Sequence, residues 1–147
     1  MFAHDDYYGL MPIFEDWVAQ FMHPNQEVEN CVHDELTYQV ESTIAAYNFE
    51  DESASRDDLA ADIILCLKDV ELDTYPELIF TDDILEVYLA HKEDCEYALA
   101  DFGGVQECDS IDDAISRGVH AYLADEANML LGRVLYELED LQSVLCE

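Results

Sequence analysis

Apolar residues recur along this chain at intervals of three and four, the period of α-helices that each bury one face. After Pro12, which fits a first helical position, Ile13, Trp17, Val18 and Phe21 keep that spacing and predict a helix near 11–22. His23-Pro24-Asn25 breaks it. Val28, Val32, Leu36, Val40 and Ile44 then form one i+4 row, widened into a face by Cys31 and Tyr47, in a helix near 25–48. Glu50 to Ser55 reads as a polar linker. Ser55 suits an N-cap with Asp57 and Asp58 in the first turn behind it, opening a helix near 56–70 that buries Leu59, Ile63, Cys66, Leu67 and Val70.

Asp73 to Pro76 reads as a turn, and Glu77 to Phe80 as a short helical or extended piece. Thr81 is placed to cap a helix near 81–102, again with paired acids, Asp82 and Asp83, in its first turn. Gly103-Gly104 closes it. Ser110 caps the last helix, near 110–145, with Asp112 and Asp113 inside. Its apolar line starts with Ile111, Ile115, Val119, Leu123 and Ala127 and continues through Leu130, Val134, Leu138, Leu141 and Leu145. Gly118 and Gly132 mark where so long a segment would bend or break. Strand patterning is confined to Leu78–Phe80 and Gly104–Cys108. The expected fold is all-α: a compact or elongated bundle of about five helices, in a single domain over residues 1–147.

Charge changes the picture. The 147 residues include 36 Asp and Glu against 5 Lys and Arg, a formal net charge of −31, yet half are hydrophobic. Disordered acidic tails lack the apolar residues to offset the entropy of ordering; this chain has them throughout, so the charge belongs to a folded body. Residues 1–49 carry −9, residues 50–102 carry −14 and residues 103–147 carry −8, so no tail holds the excess. Self-repulsion on this scale opposes compaction and is usually relieved by bases. The few bases are spaced for local pairing on helices: Glu52 with Arg56, Lys68 with Glu71, Lys92 with Glu96, Asp113 with Arg117 and Arg133 with Glu137. None remains for a positive patch. Direct binding to nucleic acid or to an anionic membrane is excluded on that ground, and no apolar run approaches the ~20 residues of a membrane span. Met1-Phe2-Ala3-His4-Asp5-Asp6 lacks the basic and apolar regions of a secretory signal, so a cytoplasmic location is expected. The cysteines, Cys31, Cys66, Cys95, Cys108 and Cys146, are odd in number, widely separated and without a C-x-x-C pair; they are expected to stay thiols.

Motifs for phosphate, dinucleotide, zinc-hydrolase or nucleophile-elbow chemistry do not occur, nor does a calcium loop or a Glu-x-x-His pair. His33-Asp34-Glu35 and His91-Lys92-Glu93-Asp94 read as solvated helix surface. No cofactor, no metal and no catalytic residue is expected. What remains is the charge as a functional surface. Duplex DNA carries one negative charge per ~1.7 Å of axis, and helix carboxylates at i+3 and i+4 recur at about 5–6 Å. Asp58, Asp62 and Asp69 share one side of their helix, at roughly 6 and 10 Å intervals along its axis. The candidate partner-binding acids lie off the apolar faces: Asp57, Asp58, Asp62 and Asp69, then Asp82, Asp83 and Glu86, then Asp112, Asp113 and Glu126.

The size, helical patterning, extreme acidity and dispersed aromatics resemble the phage DNA-mimic antirestriction proteins, of which the Ocr family is the best known. The local likeness runs through Ser55-Arg56-Asp57-Asp58-Leu59-Ala60-Ala61-Asp62-Ile63 and on to Tyr75-Pro76 and Phe80. The resemblance implies an inhibitor of restriction enzymes or of other anti-phage machinery such as CRISPR effectors. Its acidic surface would fill the enzyme's DNA site, often as a homodimer, in the bacterial host cytoplasm. The partner would be a basic nucleic-acid-binding protein, a bacterial defence enzyme. Tyr7, Tyr8, Trp17 and Phe21 read as core, with a dimer seam along the first helix as their other use. Two further readings stand beside this one: an acidic adaptor binding a basic protein without imitating DNA, and a housekeeping protein whose acidity is a halophile's solvation adaptation.

Overall fold

The structure is a computed structural model that describes residues 9–47, 55–101 and 110–146. Of the described residues 79% are helical and none is in a strand. They form seven helices, not about five: α1 (Leu10–Val18), α2 (Gln26–Ala46), α3 (Arg56–Lys68), α4 (Thr81–Ala90), α5 (Lys92–Asp101), α6 (Ile111–Tyr136) and α7 (Leu138–Leu145). The difference in number comes from two expected helices that are each split in two.

The first split is at His91 (φ −134°, ψ 38°), whose N–H still bonds to the Val87 carbonyl at 2.9 Å and whose carbonyl receives the Cys95 N–H at 2.9 Å. The second is at Glu137 (φ −100°, ψ 19°), where the N–H reaches back three residues to Val134 at 3.0 Å. Neither break is at a glycine. Gly118 instead lets two helices meet: a Cβ there would lie 3.1 Å from the Cys95 carbonyl oxygen of α5. Gly132 faces open space.

Caps follow the expected chemistry at three of the starts. Asn25 accepts from the N–H groups of Glu27 and Val28, Ser55 from that of Asp58, and Ser110 from that of Asp113. Asp113 returns the bond to the Ser110 N–H, completing a capping box. Thr81 is a correction: it is the first residue of α4, and Phe80 is the N-cap, offering only its carbonyl, to Asp83 and Ile84 at 3.1 Å each. Pro12 sits third in α1, still within the turn whose N–H groups have no helical acceptor. α1 stops at Val18, and a tight turn through Ala19, Gln20 and Phe21 finishes the segment. Gly103-Gly104, Gly104–Cys108, Glu52, Tyr7 and Tyr8 lie outside the described residues.

The core is built around α2, whose row Val28, Val32, Leu36, Val40 and Ile44 is buried along its whole length. α2 packs on α1, α3 and α6, and α7 packs on α1, α3 and α6, while α4 and α5 lie against α6. Leu59, Ile63, Leu67 and Val70 of the third segment are buried as expected; Cys66 is only half-buried, its thiol 3.6 Å from Gln39 Oε1. From Val119 to Leu145 the long apolar line is interior at every position, whereas Ile111, in the first turn of α6, is 81% exposed and Ile115 is half-buried.

Two polar ties fasten α7 to the rest of the fold. The Trp17 indole N–H donates to Asp140 Oδ2 at 2.8 Å, joining α1 to α7. Arg56 Nε donates to the Leu145 carbonyl and so caps the C-terminal end of α7 from the start of α3. Trp17 and Phe21 are core residues, 4.9 Å apart edge to face, so neither is open as a dimer seam. No helix of the described residues is long and apolar enough to cross a membrane.

Candidate acidic partner-binding surface

Among the described residues no charged side chain is buried. The described acids therefore all face water to some degree, and their placement is systematic. Every helix except α1 carries two acids in its first turn, where the partial positive charge of the free N–H groups stabilises them by about 0.3–1 kcal/mol each. Asp57, Asp58, Asp82, Asp83, Asp112 and Asp113 are of this kind. The other helix ends are left almost bare: only α3, with Lys68, and α6, with Arg133, have a base in the last turn. Asp69 even places a carboxylate at the C-cap of α3, where the helix dipole opposes it.

Nine of the ten candidate acids are exposed; Glu126 is half-buried. They do not form one patch. Asp57, Asp58 and Asp62 share the first half of α3. Asp57 also meets the chain's other end, since it lies close enough to the Cys146 thiol to help raise its pKa, after burial and against the pull of Arg56. Asp112 and Asp113 sit at the head of α6. Asp83, Glu86 and Glu126 do come together, lining one open cleft of about 740 Å³ between α4, the α1–α2 connection and α6.

Glu126 is positioned by a residue that the sequence reading treated only as a breaker. His23 Nδ1 accepts the Asn25 N–H at 2.9 Å, so its ring proton is on Nε2, which donates to Glu126 Oε2 at 3.0 Å. Nothing in the sequence signals a pair 103 residues apart. In the same cleft His91 stacks on Tyr122, ring centroids 4.9 Å apart. Burial, and then the charges of Glu126 and Asp94, push the Tyr122 phenol up to about 12. Asp125 shows the same crowding: its carboxyl is raised by burial and by Asp101 and Glu126.

The bases behave differently from expectation. Lys68, Lys92 and Arg133 make no ion pair with any described residue, so the local pairs with Glu71, Glu96 and Glu137 are not formed. Exposed pairs of long side chains are worth about 0–1 kcal/mol, too little to hold them against rotamer entropy. Arg56 uses its guanidinium on a backbone carbonyl. His91 approaches Asp94 at 4.0 Å, and among the described residues no group of three or more His, Cys, Asp or Glu could hold a metal ion. Cys31, Cys66, Cys95 and Cys146 are free thiols, and Cys108 lies outside the described residues. Burial, with Asp94 and Glu96 beside it, pushes the Cys95 thiol up to about 11.

Comparison of this chain with protein-family models, with curated proteins and with solved structures gives no match.

Proposed function

We propose that this protein is an acidic DNA-mimic inhibitor, occupying the nucleic-acid-binding groove of a basic defence protein such as a restriction enzyme or CRISPR effector. The observation that carries this reading is a net charge of −31 over the whole chain, with exposed carboxylates on α3, α4 and α6 among its carriers and Lys68, Lys92 and Arg133 forming no pairs that would mask it. A stability-driven surface would place bases at the helix C-termini; this one leaves most of them without. The work is binding and not catalysis: nine of the ten candidate acids are exposed, and they are spread over three helices and their ends. Long-range attraction would steer the protein to its target quickly and weaken with salt.

The test is competition. Duplex DNA and this protein should exclude each other from the target, and the target's affinity for this protein should fall steeply as salt is raised, because exposed attractions are screened beyond ~8–10 Å at physiological ionic strength. A single Asp→Asn change among the ten should cost at most about 1 kcal/mol, and Asp57, Asp58 and Asp62 changed together to Lys far more. A ternary complex of target, DNA and this protein that survives 0.5 M salt would leave the acidic-adaptor reading in its place.

A further inference from the structure

The cleft that gathers Asp83, Glu86 and Glu126 does not end there. A second, shallower depression of about 560 Å³ lies further along α6 over Phe21, Met129 and Tyr136, and the two share Arg133. They adjoin at Arg133 and are taken together as one groove. Its floor and wall follow a stripe of α6: Tyr122, Glu126, Met129, Arg133 and Tyr136, spaced i, i+4, i+7, i+11 and i+14. That is the spacing of a seam between two helices running side by side. At 1.5 Å per residue the stripe is about 21 Å long, the length of a helix of some four turns.

Among the described residues nothing covers the lower half of this stripe. Met129 is 63% exposed and Tyr136 86%, and Met22, which lines the adjoining cleft, is 70% exposed. Gly132, between them, would hold a Cβ in empty space, so a neighbouring backbone can come close there. Exposed Met and Tyr around a small-residue notch form an apolar seat, not a solvated face. The sign of what fits is set by the adjoining cleft, where Glu27, Asp83, Glu86 and Glu126 outnumber the single cation Arg133, while Glu137 balances Arg133 at the depression itself. A second copy of this chain would bring the same negative cleft, and the same −31 body, against itself.

We propose that this groove is the seat of a short cationic amphipathic helix of the partner protein, its apolar face on Met22, Met129 and Tyr136 and its Lys or Arg side chains among the carboxylates of the cleft. The proposal rests on the functional reading above only for the positive charge of the partner. It adds a local apolar anchor to a surface that otherwise acts through dispersed charge, and an anchor of this kind carries the specificity that long-range attraction lacks.

The probe is an 18-residue helical peptide of Lys and Leu in amphipathic order, compared by titration calorimetry with a scrambled peptide of the same composition, at about 0.15 M salt. The ordered peptide should bind at least about tenfold more tightly. Met129→Ser with Tyr136→Ser should abolish that advantage, while Tyr38→Ser, an exposed tyrosine on α2, should leave it intact. Arg133→Gln, which removes the one like charge from the seat, should tighten binding of the ordered peptide severalfold, a gain that misfolding cannot imitate. Equal affinity for the two peptides, or weaker binding by Arg133→Gln, overturns the proposal. So does a dimer in sedimentation equilibrium that Met129→Ser with Tyr136→Ser dissolves, since the occupant would then be a second copy. DNA competition is read separately: its failure with the peptide results as expected removes the mimic reading and leaves the groove, and the reverse outcome does the opposite.

Discussion

Replacing Asp140 with alanine tests the tie between the first and last described helices. Asp140 is exposed, so truncating it removes little packing, but it strands the indole N–H of Trp17, a side chain only 5% exposed. A buried donor left unpaired costs about 1–3 kcal/mol, and a hydrogen bond to a charged acceptor lies in the same range. Two smaller effects accompany the change. Asp140 is in the first turn of α7, where an acid contributes about 0.3–1 kcal/mol, and its removal lowers the self-repulsion of the molecule. Glu139→Ala removes an acid from the same turn without touching the indole, and so calibrates both. The expected difference, Asp140→Ala beyond Glu139→Ala, is about 1–2 kcal/mol. At about 2–4 °C per kcal/mol for a chain of this size, it is visible in both denaturant titration and calorimetry. Asp140→Asn keeps an acceptor oxygen and should recover about half, since neutral hydrogen bonds are roughly half as strong as charge-assisted ones. If Asp140→Ala and Glu139→Ala agree within about 0.5 kcal/mol, the contact contributes nothing and the argument from the buried donor fails.

Three other outcomes are expected. Gly118→Ala should destabilise although alanine is the better helix former, because its Cβ would press on the Cys95 carbonyl, whereas Gly132→Ala should stabilise by up to about 1 kcal/mol; urea midpoints of the pair decide it. The protein should lose stability in alkali. Cys95 and Tyr122 have folded pKa values raised to about 11 and about 12 from 9.0 and 10.0, so the folded state keeps protons that the unfolded state releases. Stability falls as pH rises from about 9 to about 12, by no more than about 3 kcal/mol per group, and Cys95→Ala should remove the earlier part of the loss from urea titrations run across that range. Added sodium chloride should raise the melting temperature, through screening of like charges; a melting temperature that falls or stays level between about 0.01 and 0.5 M would mean that self-repulsion is not a significant cost here.

Where the buried faces of α2 and of the Val119–Leu145 segment lie was legible from spacing alone. The α2 row and the line from Val119 to Leu145 are interior residue for residue, because a 3.6-residue period and a water-avoiding face leave little freedom. The breaks at His91 and Glu137 were not legible, for a physical reason: each keeps the helical phase. Val134, Leu138 and Leu141 retain i+4 and i+3 spacing across the Glu137 break, and Val87, His91 and Cys95 stay four residues apart across the other. A pattern that counts only period sees one helix. The start of α4 misled in the other direction, since Thr81 has the side chain of a cap and Phe80 does not, yet the chain turns at Phe80. Among the acids, position on a solvated helix face was readable, but the gathering of Asp83, Glu86 and Glu126 in one cleft was not. That depends on His23 and on how α4 lies against α6, and neither leaves a trace in local spacing.

The link from Trp17 to Asp140 also bears on how the protein is made. The two residues are 123 positions apart, and the buried residues of α1, Phe14 among them, pack in a core completed by Leu138, Leu141 and Leu145. A ribosome adding roughly 5–20 residues per second needs about 6–25 s to pass from one to the other. Throughout that interval α1 has emerged without the helix that completes its burial, and an uncovered aromatic face on a nascent chain is an invitation to chaperones and to aggregation. The intervening residues carry much of the chain's negative charge. The same repulsion that opposes compaction of the finished fold would keep neighbouring nascent chains apart while each waits for α7.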